Sequence, residues 1–277
     1  MQTRTANNLF NRNIALPQDH GSWVFLLSPL LIGLFAAPSW SLATLLLIIA
    51  SLTGFLIRQP ITHLVKIYSN RRPKIDTKAS VFWVVLYSSI GFICVLGLGY
   101  LGFSYIMLLA LPGVAVFTWY LILVTRRNER KQGGVEIVAS GVLALSAPAA
   151  YWVGAGKPDP TGLVLFLLVW LQSAASIVYA YVRLEQRHLK EIPGVADRFK
   201  LGKRALLYSS FNLFSVLIFS ITGILPVLLP IPYLIQWIEV IWGTYYPAVQ
   251  TKPVHIGLRQ LVVSTIFTIT FIITWNI

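Results

Sequence analysis

The sequence predicts an all-α polytopic integral membrane protein, a bundle of about nine transmembrane helices, on three observations. The chain is 56% hydrophobic and 11% charged, whereas a water-soluble domain has about a quarter of its residues charged. So apolar a chain cannot cover a surface that faces water. Its apolar residues lie in long unbroken runs, the pattern of spanning helices, which need about 20 such residues, and not the alternation of barrel strands. The 22 Lys and Arg fall almost wholly in every second gap between those runs.

The first run, 22–37, is short and contains Pro29. The second covers 42–57, the third 81–99, the fourth 104–124, the fifth 135–153 and the sixth 163–181. The seventh, 206–229, carries Pro226 near its end, and 233–246 and 261–275 complete the set. Three of the intervening gaps are tight turns: Pro38-Ser39-Trp40, 100–103 and Pro230-Ile231-Pro232. Cations collect in the other gaps. Arg4 and Arg12 precede the first run, and Arg58, Lys66, Arg71, Arg72, Lys74 and Lys78 follow the second. Arg126, Arg127, Arg130 and Lys131 follow the fourth, and Arg183, Arg187, Lys190, Arg198, Lys200, Lys203 and Arg204 follow the sixth. Lys252 and Arg259 precede the ninth, and Lys157 alone lies on the opposite side.

By the positive-inside rule this asymmetry predicts a cytoplasmic N-terminus and an external C-terminus. The whole chain, 1–277, reads as one membrane domain of a bacterial-type cytoplasmic or thylakoid membrane. It has a cytoplasmic N-terminal segment, 1–21, and long cytoplasmic loops, 58–80 and 183–205. The net charge of +13 would suggest nucleic acid in a soluble protein; here it is a topology signal that faces anionic headgroups, and membrane lipids, not nucleic acid, are the expected partners. The first 22 residues are polar and show no cleavable signal pattern. The one cysteine, Cys94, excludes an internal disulfide and reads as a small buried apolar residue. Tryptophans such as Trp23, Trp40, Trp83, Trp152, Trp237, Trp242 and Trp275 fall mostly near run ends, as in an interfacial belt.

Candidate chemistry concentrates in three stretches on the basic side. Before the first run, Asp19 or Ser22 can cap the helix, which puts His20 at the cytoplasmic interface as a titratable or ligand-contacting group. In the first long gap, Arg58, Thr62, Val65 and Lys66 share one helical face, as do Gln59, His63 and Lys66, followed by Asn70 and Arg72. In the second, Tyr179 leads into Arg183, Arg187 and Lys190 or Glu191, which share a face at three- and four-residue spacing, with His188 among them in sequence. Cations with amides and histidines in such a pattern suit a phosphate or carboxylate, and topology alone does not require Gln59, Asn70, His63 or His188. Within the spans Glu239 stands out, because an ionisable residue in the bilayer is a functional hypothesis by default. Glu136 is placed to complement the start of helix five. Gln172, Ser173, Ser176 and Asn212 are expected to form hydrogen bonds between helices.

The stretch Leu16-Pro17-Gln18-Asp19-His20-Gly21-Ser22-Trp23, with Pro29 and Gly33 after it, resembles the opening of the YwiC-like family of multi-pass membrane proteins, most strongly over 16–38. That family has no established activity, so the resemblance implies architecture only. The arrangement of nine helices with polar loops after the second and sixth also resembles the UbiA superfamily of intramembrane prenyltransferases. Arg72-Pro73, Tyr179-Ala180, Gly194-Val195 and Arg198-Phe199 are similar to pieces of its two loop motifs. In that family those motifs carry aspartates that hold Mg²⁺ on a prenyl diphosphate. Here His63 and Lys66 stand where the first aspartates belong, and only Glu185 and Glu191 accompany the second. Hard divalent cations need several carboxylate oxygens, so no metal site and no cofactor, Mg²⁺ included, is expected.

These readings converge on binding or modification of an amphipathic, anionic, prenyl- or lipid-like substrate in a cavity open to the cytoplasm. Arg58, Gln59, Lys66, Asn70, Arg72, Tyr179, Arg183, Arg187 and Lys190 would hold the anion, and His20, His63 or His188 would act as acid or base. As an enzyme the protein would be a UbiA-like transferase without the metal-binding aspartates. Two alternatives are a transporter of an anionic metabolite with Glu239 in its path, and a non-enzymatic assembly or scaffold protein of a membrane complex. A pair of broken helices, the usual mark of a transporter site, is not visible in the sequence.

Overall fold

The structure is a computed structural model; it describes residues 9–17, 20–127 and 133–277, the side chain of His20 excepted. Asp19, Arg4, Arg130 and Lys131 lie outside the described residues. The elements in order are α1 (Arg12–Ala15), α2 (His20–Ala36), α3 (Leu42–Leu56), α4 (Arg58–Tyr68), α5 (Thr77–Tyr100) and α6 (Met107–Thr125). They continue with α7 (Gly133–Ala144), α8 (Ser146–Ala155), α9 (Pro160–Gln186), α10 (Val195–Ile221), α11 (Pro230–Tyr245) and α12 (Pro253–Trp275). Among the described residues there is no strand, and the molecule is an all-α polytopic helical bundle.

Helix limits follow local chemistry. Ser41 and Thr44 form a reciprocal capping box at the start of α3. Asp159 accepts from the Thr161 amide at 2.8 Å and Pro160 takes the first position of α9. Each apolar run of the sequence falls largely in one helical passage, with α7 and α8 together forming the fifth; the seventh run, 206–229, is helical only to Ile221, and turns over 222–229 lead to Pro230. Among the described residues seven passages are long and apolar enough to cross a membrane. The first and eighth differ: α2 has 17 residues and α11 has 16, about 24–26 Å at 1.5 Å per residue against a hydrocarbon core of about 30 Å. Prolines set these limits, Pro38 beyond α2, Pro230 and Pro232 at the start of α11, and Pro247 beyond its end.

The fifth passage is interrupted at Leu145. Pro148 has no amide proton for the Ala144 carbonyl and its ring crowds that turn; Ser146 turns its hydroxyl back to the Leu143 carbonyl at 2.7 Å. Opposite this break α2 packs closely through Gly33. A Cβ at Gly33 would fall on the backbone carbonyl of Ala147.

One core forms where α2, α8, α9, α10, α11 and α12 meet, around Ile32, Ala147, Leu165, Val169, Tyr233 and Phe271. A smaller one joins α2, α3, α5 and α8 around Leu30, Leu47, Leu98 and Ala150. Cys94 is buried. The outward faces of α5, α6 and α10 expose Phe92, Leu111, Val114, Phe211 and Ile218, apolar surface that suits contact with lipid.

The two ends of the bundle are distinct. At one, Tyr87 donates to the Ala15 carbonyl at 3.1 Å, Trp83 to the Leu9 carbonyl at 2.9 Å and Arg71 to the Val124 carbonyl at 2.7 Å. At the other, Ser39 donates to the Gly154 carbonyl at 2.7 Å and Asn276 to the Phe35 carbonyl at 3.3 Å. The first described residues and the C-terminus therefore lie at opposite ends.

The two stretches read as long loops are largely helical. The first contains α4, which is amphipathic, a short 3₁₀ turn at Lys74–Asp76 and the start of α5. In the second, α9 continues to Gln186 and α10 starts at Val195, so the connector is 187–194.

Candidate functional site

The densest arrangement of buried charge lies where α9, α11 and α12 meet at the basic end. Glu239 projects from α11 and is buried. It stands six positions before the last residue of that helix, roughly 9 Å from its end. Arg259 reaches it from α12 in a two-point contact, Nε to Oε1 at 2.6 Å and Nη2 to Oε2 at 2.7 Å, the geometry in which a guanidinium binds a carboxylate most strongly. Tyr179 of α9 donates to Oε1 of the same carboxylate at 2.9 Å. The guanidinium of Arg259 also lies 3.6 Å from the centroid of the Trp242 ring, a cation–π contact. Arg259 reads from sequence as a charge of the gap before the ninth run; α12 begins at Pro253, which places it inside the helix.

One turn nearer the helix end, Arg183 caps α11. Its Nη1 donates to the Gly243 carbonyl at 2.6 Å, the Tyr246 carbonyl at 2.7 Å and Gln186 Oε1 at 3.0 Å. These are the carbonyls a helix C-terminus leaves open, and a cation there also answers the helix dipole. Gln186 extends the clasp: its amide nitrogen donates to the Gly243 carbonyl at 3.3 Å and its oxygen accepts from the Ala248 amide at 3.2 Å. Gly243 is required by closeness, since a Cβ there would overlap the Tyr179 hydroxyl. The backbone of Gln250 is left-handed, φ 53°, and its amide donates to the Arg187 carbonyl at 3.2 Å, which ties the 246–252 turn to the end of α9.

These groups border a cavity of about 590 Å³. Tyr179, Arg183, Arg259 and His255 give it polar character, and Trp242, Pro247, Ile256, Leu258 and Val262 line it with apolar surface. Arg183 is only 7% exposed, and its Nε and Nη2 have no hydrogen-bond partner among the described residues. Two guanidiniums stand against one carboxylate, Glu239, so the lining carries a surplus positive charge.

The other sequence candidates are distributed as follows. Gln59 and His63 meet on α4, nitrogen to nitrogen at 3.3 Å, and Gln59 also donates to the Asn13 carbonyl at 3.2 Å. His63 is 3% exposed and its Nδ1 has no hydrogen-bond partner among the described residues. Arg58 lies 4.9 Å from the Phe55 ring centroid. Lys66 is half-buried, while Asn70, at φ 53°, and Arg72 are exposed. Arg187 is half-buried, and His188 and Lys190 are exposed beyond the end of α9, so the helical face expected to continue from Arg183 stops at Gln186. The side chain of His20 lies outside the described residues. The packing partners of α4 are α1, α3, α5 and α6, whereas those of α9 include α10, α11 and α12. The structure thus builds two separate groups, one on α4 and one at the α9–α11–α12 junction.

Trp242, Gln186, Gly243 and Arg259 were not singled out as site residues by sequence reasoning. Trp242 looked like a member of the interfacial belt, and Gly243 carries no chemistry of its own. The expected polar contacts are partly present: Asn212 donates to the Leu171 carbonyl at 2.8 Å and Ser176 to Gln260 Oε1 at 3.1 Å. Glu136 accepts from the Tyr181 hydroxyl at 2.8 Å. Among the described residues no three His, Cys, Asp or Glu side chains converge as metal ligands would.

Comparison with curated proteins and with solved structures finds no match for this chain. A family model does match: the one for YwiC-like protein covers residues 16–151, just under half of the sequence, from the segment before α2 into α8. Over that stretch, which begins at the Leu16-Pro17 signature and includes the Gly33–Ala147 contact, the chain is similar to the YwiC-like family.

Proposed function

We propose that this multi-pass membrane protein binds an amphipathic anion, a phosphate- or carboxylate-bearing lipid-like molecule, in the cavity at the α9–α11–α12 junction, with that end of the bundle facing the cytoplasm. The observation that carries the reading is Arg183. A guanidinium so deeply buried normally has its donors satisfied, because an unpaired buried charge is costly. Two of its nitrogens instead have no acceptor among the described residues, and the side chain borders an open space. Beside it, Arg259 is held in place by Glu239 and Trp242, and the apolar walls suit a hydrocarbon chain. Planar guanidiniums hold phosphate oxygens in pairs without a bridging metal. The orientation is supported by the Lys and Arg distribution.

Titration of purified protein in detergent with short-chain phosphatidic acid and with farnesyl diphosphate tests this, with and without a chelator. Arg183→Gln is expected to weaken binding about 10- to 100-fold, the effect of losing a charged hydrogen-bond pair. The chelator and Arg72→Ala are expected to change it little. Thermal melting checks that each variant is folded. Binding that survives Arg183→Gln, or that the chelator abolishes, would overturn the proposal.

A further inference from the structure

A second, small cavity lies between α2, α9 and α12. Its free volume is about 20 Å³, and its lining includes Ser28, Gln172, Ser173, Ser176 and Ser264, with Val24, Phe25, Val169 and Phe267 as apolar walls. Space of this kind above about 10–15 Å³ holds a water molecule if two or more polar groups can bind it.

The hydrogen bonding around the cavity is incomplete. Ser28 and Thr268 pair through their hydroxyls at 2.6 Å, and Ser176 donates to Gln260 at 3.1 Å. Gln172 and Ser173, 6% and 7% exposed, have no side-chain hydrogen-bond partner among the described residues, and both border the cavity. A serine in a helix commonly turns its hydroxyl back to an earlier carbonyl, as Ser140 and Ser146 do; Ser173 does not. A buried amide and hydroxyl left bare in the bilayer region would cost several kcal/mol.

We infer that this cavity is a binding site for one ordered water, held by Gln172 and Ser173 and within reach of Ser264. The water completes the bonding of α9 and bridges it to α12, two of the helices that build the candidate site. The inference is independent of what the larger cavity binds.

Two measurements on the full-length protein test it. X-ray radiolytic footprinting generates hydroxyl radicals from bound waters and labels the side chains beside them. Phe267 is 2% exposed, shielded from bulk solvent, and is expected to be labelled in the wild type and protected in Ser173→Leu, which fills the cavity. An unlabelled Phe267 in folded wild-type protein would overturn the assignment. The second measurement needs no cavity-filling variant. Gln236 of α11 is also a buried amide without hydrogen-bond partners among the described residues, 1% exposed, but it borders neither cavity. Gln172→Met is expected to lower the melting temperature, because it strands the water and Ser173, whereas Gln236→Met is expected to hold or raise it. If Gln172→Met raises the melting temperature as Gln236→Met does, the cavity is dry and the inference fails.

Discussion

A carboxylate inside a membrane helix needs its charge answered by its neighbours, and Glu239 has Arg259 in a two-point contact with Tyr179 as a further donor. A double-mutant cycle on Glu239→Gln and Arg259→Gln, read from unfolding free energies in detergent, is expected to give a coupling of about 1–3 kcal/mol. The 40% side-chain exposure of Arg259 lets water weaken the pair below the cost of breaking a fully buried one. Tyr179→Phe keeps the ring and removes one hydrogen bond, so it is expected to cost about 1 kcal/mol. Gly243→Ala is expected to cost more, about 1–3 kcal/mol, because the added methyl displaces the Tyr179 hydroxyl from its place. Tyr179, Arg183 and Glu239 were legible as candidates for different reasons: Tyr179 leads into and Arg183 opens a basic stretch at helical spacing, and Glu239 is an ionisable residue inside an apolar run. Arg259 was not, since a cation near a run boundary looks like any topology-setting charge until the helix start at Pro253 is known. Trp242 and Gly243 were hidden for a similar reason: their parts depend on which residue of another helix stands opposite.

At the scale of elements, the α2–α8 contact is the tightest feature of the YwiC-like stretch. Gly33 packs against the backbone of Ala147, and that turn lies beside the break caused by Pro148. Gly33→Ala is therefore expected to lower stability by about 1–3 kcal/mol, the usual cost of overpacking, visible as a lowered melting temperature. Gly21, in the same helix with open space around it, is the control: Gly21→Ala is expected to leave the melting temperature unchanged or raise it slightly, since alanine favours a helix over glycine. The interruption at Leu145 could be anticipated from Pro148. The length of α9 could not, because Arg183 and Gln186 look like loop residues by hydropathy; the open carbonyls at the end of α11 and the turn at Ala248 supply partners that let α9 continue past the apolar run. In α4 the face shared by Gln59 and His63 follows the four-residue spacing read from the sequence.

For the whole molecule, the charge distribution and the helix order make a single prediction. A reporter active only in the cytoplasm, fused to each terminus in turn, is expected to give a signal from the N-terminus and none from the C-terminus. A signal from both would require an even number of crossings. That outcome would point to α2 or α11 as the helix that fails to span, since these two are the shortest of the apolar passages.

The sequence alone determined the class of the protein, the positions of its apolar helices and the polar residues worth attention. Those follow from one-dimensional quantities: transfer free energy summed along a run, the 3.6-residue period, and the rigidity of proline. Which candidates act together was decided only by the tertiary structure. The cations on α4 and those at the end of α9 share a side of the bundle and a similar pattern, yet they pack against different helices. The reason is physical: charge and hydropathy fix depth in the membrane, whereas lateral neighbours are chosen by close packing, at Gly33 against Ala147 and Gly243 against Tyr179, where the absence of a side chain lets one helix approach another.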